Sequence, residues 1–336
     1  MMDRIAARTR DQRGTMEQNT LVSTVSSPIP GGAVSGFFRT PSGIRLRYAH
    51  WKPTGQKQIG TVCVFGGRGE FIEKYFEVVA ELRRRGFAVA CLDWRGQGGS
   101  QRLLRNSLKG HVENFVEYDE DLRLFMRNIV LPDCPPPYFA LAHSTGGNIL
   151  IRAACLGNCW FERILLTAPL INLARGVLPL SFESTYRLLS TFKGLGFSKA
   201  YLPRSNGNDA WEAAPFADNM LTSDYHRFQR TQTVLEEAPH LRLGSPTIGW
   251  FYAAMQSMAM MREDDFPSLV KVPILMIGAG SDRIVSTPAI EDLALRLKVG
   301  SYITIPNSRH EILQESDPLR LQFWSAFDAF IPGTHI

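Results

Sequence analysis

Three side chains suited to nucleophilic catalysis follow one another in the order serine, aspartate, histidine along this chain of 336 residues. Ser144 ends an apolar run that begins at Tyr138, and the small residues Ala142 and Gly146 lie two positions to either side of it. The spacing Ala-x-Ser-x-Gly is close to G-x-S-x-G, in which a sharp strand-to-helix turn exposes a serine hydroxyl. Small residues also gather at ordinary turns, so the other groups of the reaction decide the interpretation. Ser144 is the candidate nucleophile.

A serine hydroxyl needs an imidazole to accept its proton and a carboxylate to fix the tautomer of that imidazole. Asp282 follows an apolar, glycine-terminated run from Val272, and His310 follows a β-rich run from Ser301. Alone, such an aspartate is usually a turn residue, and such a histidine is usually a solvated loop residue. In proteins that have this turn, an aspartate and then a histidine follow the serine along the chain, each on a loop after a strand. Asp282 and His310 follow Ser144 in this order. The sequence therefore predicts a catalytic triad of Ser144, Asp282 and His310.

Backbone amides that bind a negatively charged oxygen complete this kind of site. One predicted donor is the N–H of Thr145, the residue after the nucleophile. The second is assigned to Gly67, in the glycine-rich loop after the apolar run that ends at Phe65. The same glycines would suit a simple turn, and no Lys-Ser/Thr pair follows them, which excludes a Walker phosphate loop. The second glycine-rich loop, Asp93 to Ser100, is interpreted as support for the site without a catalytic role.

The elements that position these residues alternate between short apolar runs and helical periodicity, up to residue 172 and again after about residue 245. This alternation predicts an α/β fold with a mostly parallel central sheet flanked by helices. Between the two parts lie helix-like segments rich in aromatic and aliphatic residues, including Trp211 and Phe228. We predict core segments at 33–172 and 246–336 and an inserted helical cap, or lid, at 173–245. The alternative for the cap is an ordinary amphipathic packing layer.

The composition, with 44% apolar residues, suits a chain that buries a sizeable core. Residues 1–32 differ, because four arginines precede a Ser/Thr/Pro/Gly-rich stretch, and this composition predicts a disordered tail. The tail lacks the apolar core of a secretory signal, and no stretch approaches the roughly 20 uninterrupted apolar residues of a membrane span. Five cysteines cannot all pair with one another, so a reducing, cytoplasmic compartment is favoured.

The spacing of two cysteines and the net charge indicate whether the chain could bind a metal ion, a membrane surface or a nucleic acid. Cys155 and Cys159 share a helical face in this interpretation, but no further ligands accompany them, so we predict packing rather than a metal site. The net charge of +5 favours approach to anionic membrane surfaces, and therefore a peripheral association with the inner membrane surface. The run Arg83–Arg85 is interpreted as a helix end before Gly86. No nucleic-acid-binding module is recognisable.

The chain resembles the α/β-hydrolase family over about residues 35–330, and within it the lysophospholipase L2 and monoacylglycerol lipase group of the serine aminopeptidase S33 type. The motifs that carry the resemblance are Phe65 to Tyr75, Asp93 to Ser100, Gly110-His111 with Phe115 and Tyr118-Asp119, the turn at Ser144, and Asp282 with His310. Two positions depart from the pattern: Ala142 replaces the usual first glycine, and Phe65 stands where many members have a histidine.

The resemblance implies hydrolysis of carboxylic esters in single-chain acyl lipids through an acyl-enzyme, with no metal or organic cofactor. The expected partner is a small acyl-ester lipid substrate, and the sequence leaves the oligomeric state open. The same scaffold also hosts peptidases, other carboxylesterases, thioesterases and cofactor-free haloperoxidases. A non-catalytic protein whose capped pocket binds an apolar ligand is the alternative from another class.

Overall fold

An eight-stranded sheet forms the centre of the molecule in the computed structural model, which describes residues 20–157, 159–202, 207 and 215–334. The strands are β1 Val34–Arg39, β2 Arg45–Trp51, β3 Gly60–Phe65, β4 Phe87–Leu92, β5 Tyr138–His143, β6 Arg163–Thr167, β7 Ile274–Ala279 and β8 Gly300–Ile305. Their order in the sheet is β1-β2-β4-β3-β5-β6-β7-β8. In this order the six neighbouring strands β4, β3, β5, β6, β7 and β8 are parallel, and β1 and β2 add an antiparallel edge. The predicted mostly parallel sheet is confirmed.

The central strands are continuous apolar runs because both of their faces are covered. Every residue of β3, β4 and β7 is buried, as expected of parallel strands packed between two layers. Alternate residues serve different layers: Cys63 of β3 belongs to one apolar cluster, with Phe125 and Ile149, and Val64 belongs to another, with Phe327.

Ten α-helices are found among the described residues. They are α1 Phe76–Arg84, α2 Val116–Phe125, α3 Leu131–Asp133, α4 Thr145–Cys155, α5 Phe182–Gly194, α6 Tyr225–Glu237, α7 Ile248–Met260, α8 Phe266–Leu269, α9 Thr287–Arg296 and α10 Asp317–Phe330. A π-helical turn, Met126–Val130, joins α2 to α3. The predicted helix end at Arg83–Arg85 is confirmed, since α1 stops there and Gly86 has a φ of 92°, a conformation that favours glycine.

The segment predicted as a cap contains no strand among its described residues, only helices and loops. Its helix α5 packs against α7, which Thr247 caps by accepting a hydrogen bond from the Trp250 amide. Asp224 caps α6 in the same way, through the Arg227 amide. The predicted boundaries at 173 and 245 remain a prediction, and Trp211 lies outside the described residues.

Residues 20–32 correct the predicted tail, of which 1–19 lie outside the described residues. Leu21 is buried in the apolar cluster under α1 and α10. The Val22 amide donates to Glu73, and the Trp51 indole N–H donates to the Pro30 carbonyl. The polar composition of this stretch concealed its few anchoring contacts, so the prediction of little packing is wrong here.

The cysteine pair also needs a correction. Helix α4 ends at Cys155, so Cys159 lies beyond the helix and the two do not share a helical face. All five cysteines are free thiols, and three of them are buried. Within the described ranges, no cluster of His, Cys, Asp or Glu side chains could hold a metal ion. No helix in the described part of the chain has both the length and the apolar character needed to cross a bilayer.

Candidate active site

Ser144 sits on a sharp turn between β5 and α4. Its backbone has φ 50° and ψ −114°, a conformation that L residues rarely adopt and that marks a strained functional position. The turn is tight because a Cβ on Gly146 would lie only 2.7 Å from the Gly66 carbonyl oxygen. Small residues on both sides of Ser144 therefore allow the strand and helix to meet at this angle, as the sequence pattern indicates.

The three predicted triad residues come together at the carboxyl edge of the sheet. His310 Nε2 lies 3.0 Å from Ser144 Oγ, and His310 Nδ1 lies 2.8 Å from Asp282 Oδ2. Ser144 and His310 are 8% and 4% exposed, so both are shielded from bulk water. In this geometry a proton can pass from the hydroxyl to Nε2 while Asp282 holds the proton on Nδ1.

The Asp282 carboxylate is held in its ionised form. Its second oxygen, Oδ1, accepts hydrogen bonds from the amides of Ile284 at 2.8 Å and Val285 at 3.0 Å. Burial would raise the pKa of Asp282, but His310 and these two amides outweigh burial and lower it. An ionised carboxylate here favours the imidazole tautomer that can accept the serine proton.

The two predicted oxyanion donors flank Ser144. Thr145 is the first residue of α4, so its N–H is one of those that have no acceptor within the helix. Gly67 lies beside Ser144, since a Cβ built on it would be 3.0 Å from the Ser144 Cβ. The Gly67 amide, however, donates to Glu70 Oε2. Sequence reasoning missed this partner, and the oxyanion role of both amides remains a prediction.

Glu70 is the centre of a buried polar cluster behind the site. Besides Gly67, its Oε2 accepts hydrogen bonds from the Tyr75 hydroxyl at 2.6 Å and from His143 Nδ1 at 3.0 Å. Lys74 Nζ lies 3.2 Å from Glu70 Oε1 and also pairs with Glu311. Burial would raise the pKa of Glu70, but His143 and Lys74 lower it well below its usual range. The adjacency of His143 to Ser144 was the one sequence signal that could have drawn attention to this cluster.

The loop from Asp93 to Ser100 supports the loop that carries Gly66 and Gly67, which we call the oxyanion loop after its predicted role. Gln97 Nε2 donates to the Gly67 carbonyl at 2.7 Å, and the Trp94 indole donates to the Gly66 carbonyl at 3.0 Å. Phe65 stacks on Trp94 with ring centroids 5.4 Å apart. Phe65, which departs from the family pattern, therefore contributes apolar packing beneath this loop.

Known proteins resemble the chain over most of its length. A profile of the family described as Serine aminopeptidase, S33 matches residues 56–317. Lysophospholipase L2 of Escherichia coli strain K12 is 31% identical over 291 residues, which cover 82% of this chain and 81% of that protein. A monoacylglycerol lipase of Mycolicibacterium smegmatis is 26% identical over 83% of this chain and 91% of its own length.

Solved structures agree on the fold. A soluble variant of monoglyceride lipase from Saccharomyces cerevisiae, in complex with a substrate analog, matches with a TM-score of 0.72 and 16% identity, over 96% of this chain and 100% of that one. At this identity the likeness concerns the fold alone. The structural match shows that the chain has the α/β-hydrolase fold. The family profile and the sequence relatives show that it belongs to the serine aminopeptidase S33 family.

Proposed function

We propose that this protein is a serine ester hydrolase that cleaves the carboxylic ester of single-chain acyl lipids, a lysophospholipid or a monoacylglycerol, through an acyl-enzyme. The observation that carries the proposal is the continuous hydrogen-bonded chain from Ser144 through His310 to Asp282. The lipid class comes from the relatives, which are named as a lysophospholipase and a monoacylglycerol lipase.

The reaction begins when neutral His310 takes the proton of the Ser144 hydroxyl as its oxygen attacks the ester carbonyl carbon. The resulting oxyanion accepts hydrogen bonds from the amides of Thr145 and Gly67, and Gly67 shares its N–H between the oxyanion and Glu70. The C–O bond then breaks, and the alcohol leaves with the proton from His310. Water, deprotonated by His310, attacks the acyl-enzyme, and the fatty acid departs as Ser144 recovers its proton.

Active-site labelling tests the nucleophile. Ser144→Ala should abolish both turnover and labelling by a fluorophosphonate probe, because the probe reacts only with an activated serine. Ser325→Ala removes an exposed hydroxyl on α10 that donates to the Leu321 carbonyl of its own helix, and it should keep both. Labelling of Ser144→Ala at the wild-type rate would place the nucleophile elsewhere.

A substrate panel separates the alternatives within this fold. Lysophospholipid, monoacylglycerol, p-nitrophenyl ester, thioester and proline-iminopeptide substrates should be compared by kcat/KM, and we expect the two acyl lipids to rank highest. A preference for the peptide would make the protein an aminopeptidase. Failure to cleave even an activated ester would favour a non-catalytic ligand-binding protein.

Exposed apolar side chains on the predicted cap support the proposal of a peripheral association with lipid. Four exposed apolar side chains lie within residues 180–197: Leu180, Leu188, Leu195 and Phe197 are 51%, 44%, 67% and 52% exposed. The exposed cations Arg175, Arg187 and Lys199 lie within or beside this stretch. Apolar groups flanked by cations suit the surface of an anionic bilayer, where the proposed substrates reside.

Vesicle sedimentation tests this surface. The double variant Leu188→Ser/Leu195→Ser should bind phosphatidylglycerol vesicles less than the wild type does. Leu321→Ser, at a 66% exposed position on α10, should bind as the wild type does. Equal binding by all three proteins would contradict the assignment.

The compartment we propose is the cytoplasm, on the inner face of the membrane. The free state of all five thiols supports a reducing environment. Burial raises the pKa of Cys63 and of Cys91 well above the usual value, so these thiols resist oxidation. Fractionation of the native host should recover the activity with the cytoplasm and inner membrane, and recovery outside that membrane would contradict the proposal.

A further inference from the structure

We propose that His143, the residue before the nucleophile, is held as a doubly protonated imidazolium that positions the oxyanion loop and the loop of the catalytic histidine. The proposal rests on the proposed hydrolase function for its kinetic consequences only. Its structural part concerns the protonation of one buried side chain.

Both ring nitrogens of His143 face groups that must accept a hydrogen bond. Nδ1 lies 3.0 Å from Glu70 Oε2, and Nε2 lies 3.2 Å from the backbone carbonyl oxygen of His310. A carbonyl oxygen can only accept, so Nε2 must carry a proton. If Glu70 is ionised, Nδ1 must carry one as well.

The surroundings of Glu70 favour the ionised form of its carboxyl group. Oε2 already accepts hydrogen bonds from the Gly67 amide and the Tyr75 hydroxyl, and Oε1 faces the ammonium group of Lys74 at 3.2 Å. A proton on Glu70 could point to the Tyr75 hydroxyl or to His143 Nδ1, but the neutral acid would then face the Lys74 cation without the negative charge that pairs with it. Glu70 is therefore a carboxylate, and His143 donates to it from Nδ1.

Charge balance leads to the same assignment. Two carboxyl groups, one amine and one imidazole belong to this buried cluster, those of Glu70, Glu311, Lys74 and His143. Two carboxylates and the Lys74 cation leave one negative charge uncompensated, and an imidazolium at His143 cancels it. Burial lowers the pKa of His143, but the neighbouring Glu70 and Glu311 carboxylates outweigh burial and raise it.

The imidazolium joins three parts of the catalytic apparatus. Through Glu70 it reaches the Gly67 amide, through its own backbone it adjoins Ser144, and through Nε2 it holds the His310 carbonyl. The rings of His143 and His310 are 4.7 Å apart. At this distance the two rings are neighbours, so a shift of His143 would displace the His310 imidazole as well as the oxyanion loop.

The charged and titratable groups that face His143 come from every element packed against it. They are Glu70, Lys74 and Tyr75 from the oxyanion loop and the turn after it, and His310 and Glu311 from the loop before α10. Asp282 lies one step further, on His310 Nδ1. The negative charge of Glu70 stabilises the second proton of His143. Glu70→Gln removes this charge, so His143 should lose that proton.

Nitrogen-15 NMR of histidine-labelled protein reads the protonation directly and needs no turnover. The His143 signal is assigned by its loss in His143→Gln, and we expect protons on both ring nitrogens at neutral pH in the intact enzyme. In Glu70→Gln the same signal should become that of a neutral imidazole at the same pH. A neutral His143 in the wild type at neutral pH overturns the proposal, whatever the enzyme hydrolyses.

The separate constants kcat and KM read the effect on catalysis. His143→Gln should lower kcat by about tenfold or more with little change in KM, because the oxyanion loop and the His310 loop act on the transition state. His50→Gln is the matched control, because His50 is a buried histidine on β2, remote from the site. A kcat equal to that of the wild type, or a rise in KM alone, would contradict the positioning role. If His143→Gln does not fold, kcat and KM are measured with Glu70→Gln.

Discussion

The guanidinium of Arg309 donates to the backbone carbonyl of Asn219 at 2.6 Å, and so joins the segment predicted as a cap to the residue next to the catalytic histidine. A second bond runs from Arg309 to the Thr222 carbonyl at 3.0 Å. The amide of Glu311, on the other side of His310, donates to the Leu221 carbonyl at 2.8 Å. The loop that carries the base is therefore held from both sides by one short stretch of backbone.

Replacing Arg309 with methionine should loosen this loop. The variant keeps an unbranched side chain but loses two hydrogen bonds from a charged donor, each worth about 1.5–3 kcal/mol before relaxation. We expect a lower melting temperature and a fall in kcat/KM of about tenfold or more, since small displacements of a base cost much activity. Arg127→Met, at an exposed position on the π-helical turn, should change neither. Wild-type kinetics in Arg309→Met would show that the base does not depend on this link.

Asp282→Asn should preserve the shape of the site while reversing its proton logic. The asparagine amide would donate to His310 Nδ1, which leaves the proton on Nε2 and removes the acceptor that Ser144 needs. We expect kcat to fall by about 10⁴-fold, as in serine proteases, with KM little changed. Steady-state kinetics with an activated ester measures this directly. Asp292→Asn, whose side chain is 71% exposed on α9, serves as the control. A loss of less than about tenfold would remove Asp282 from the triad.

Gly146→Ala tests the tight packing behind the nucleophile. The added methyl group would lie 2.7 Å from the Gly66 carbonyl oxygen and 2.8 Å from that of Phe65, both rigid backbone atoms. We expect a destabilisation of about 1–3 kcal/mol, typical of overpacking, and a loss of activity as the oxyanion loop shifts. Gly194→Ala, at the end of α5 with nothing within 4 Å, should be neutral or stabilising in the same denaturation assay. Equal stability of both variants would mean that the turn can open at little cost.

Glu77 should make stability depend on pH in the acid range. Burial would raise its pKa, but Arg227, Arg320 and Arg230 outweigh burial and lower it to about 2. The unfolded value is about 4.3, so the stabilisation is complete above about pH 5 and is lost as the pH falls toward 2. Melting temperatures of wild type and Glu77→Gln should therefore differ most near neutral pH and converge in acid. A difference independent of pH would point to lost packing rather than lost charge.

The sequence predicts that Ser144, Asp282 and His310 lie together because each follows an apolar run that ends abruptly, and a parallel sheet brings such ends to one edge. The sequence also indicates the start of α7 after Thr247 and of α10 at Asp317, where helical periodicity begins. These are local signals, readable within a few residues.

The features that were missed depend on contacts between distant residues. Glu70 and His143 are 73 positions apart, and no spacing rule links them. The bonds of Arg309 to the carbonyls of Asn219 and Thr222 involve backbone acceptors, which carry no side-chain signature. The anchoring of residues 20–32 likewise depends on a few contacts within a polar stretch.

The backbone conformation of Ser144 lowers the stability of the molecule. A conformation with φ 50° and ψ −114° is one in which a side chain is disfavoured by about 1–3 kcal/mol. Glycine would relax that strain, and the natural sequence is therefore not the most stable one for its own backbone. The conformation that reactivity requires at this residue lowers the stability of the fold, and the packing of the surrounding core must compensate for that loss.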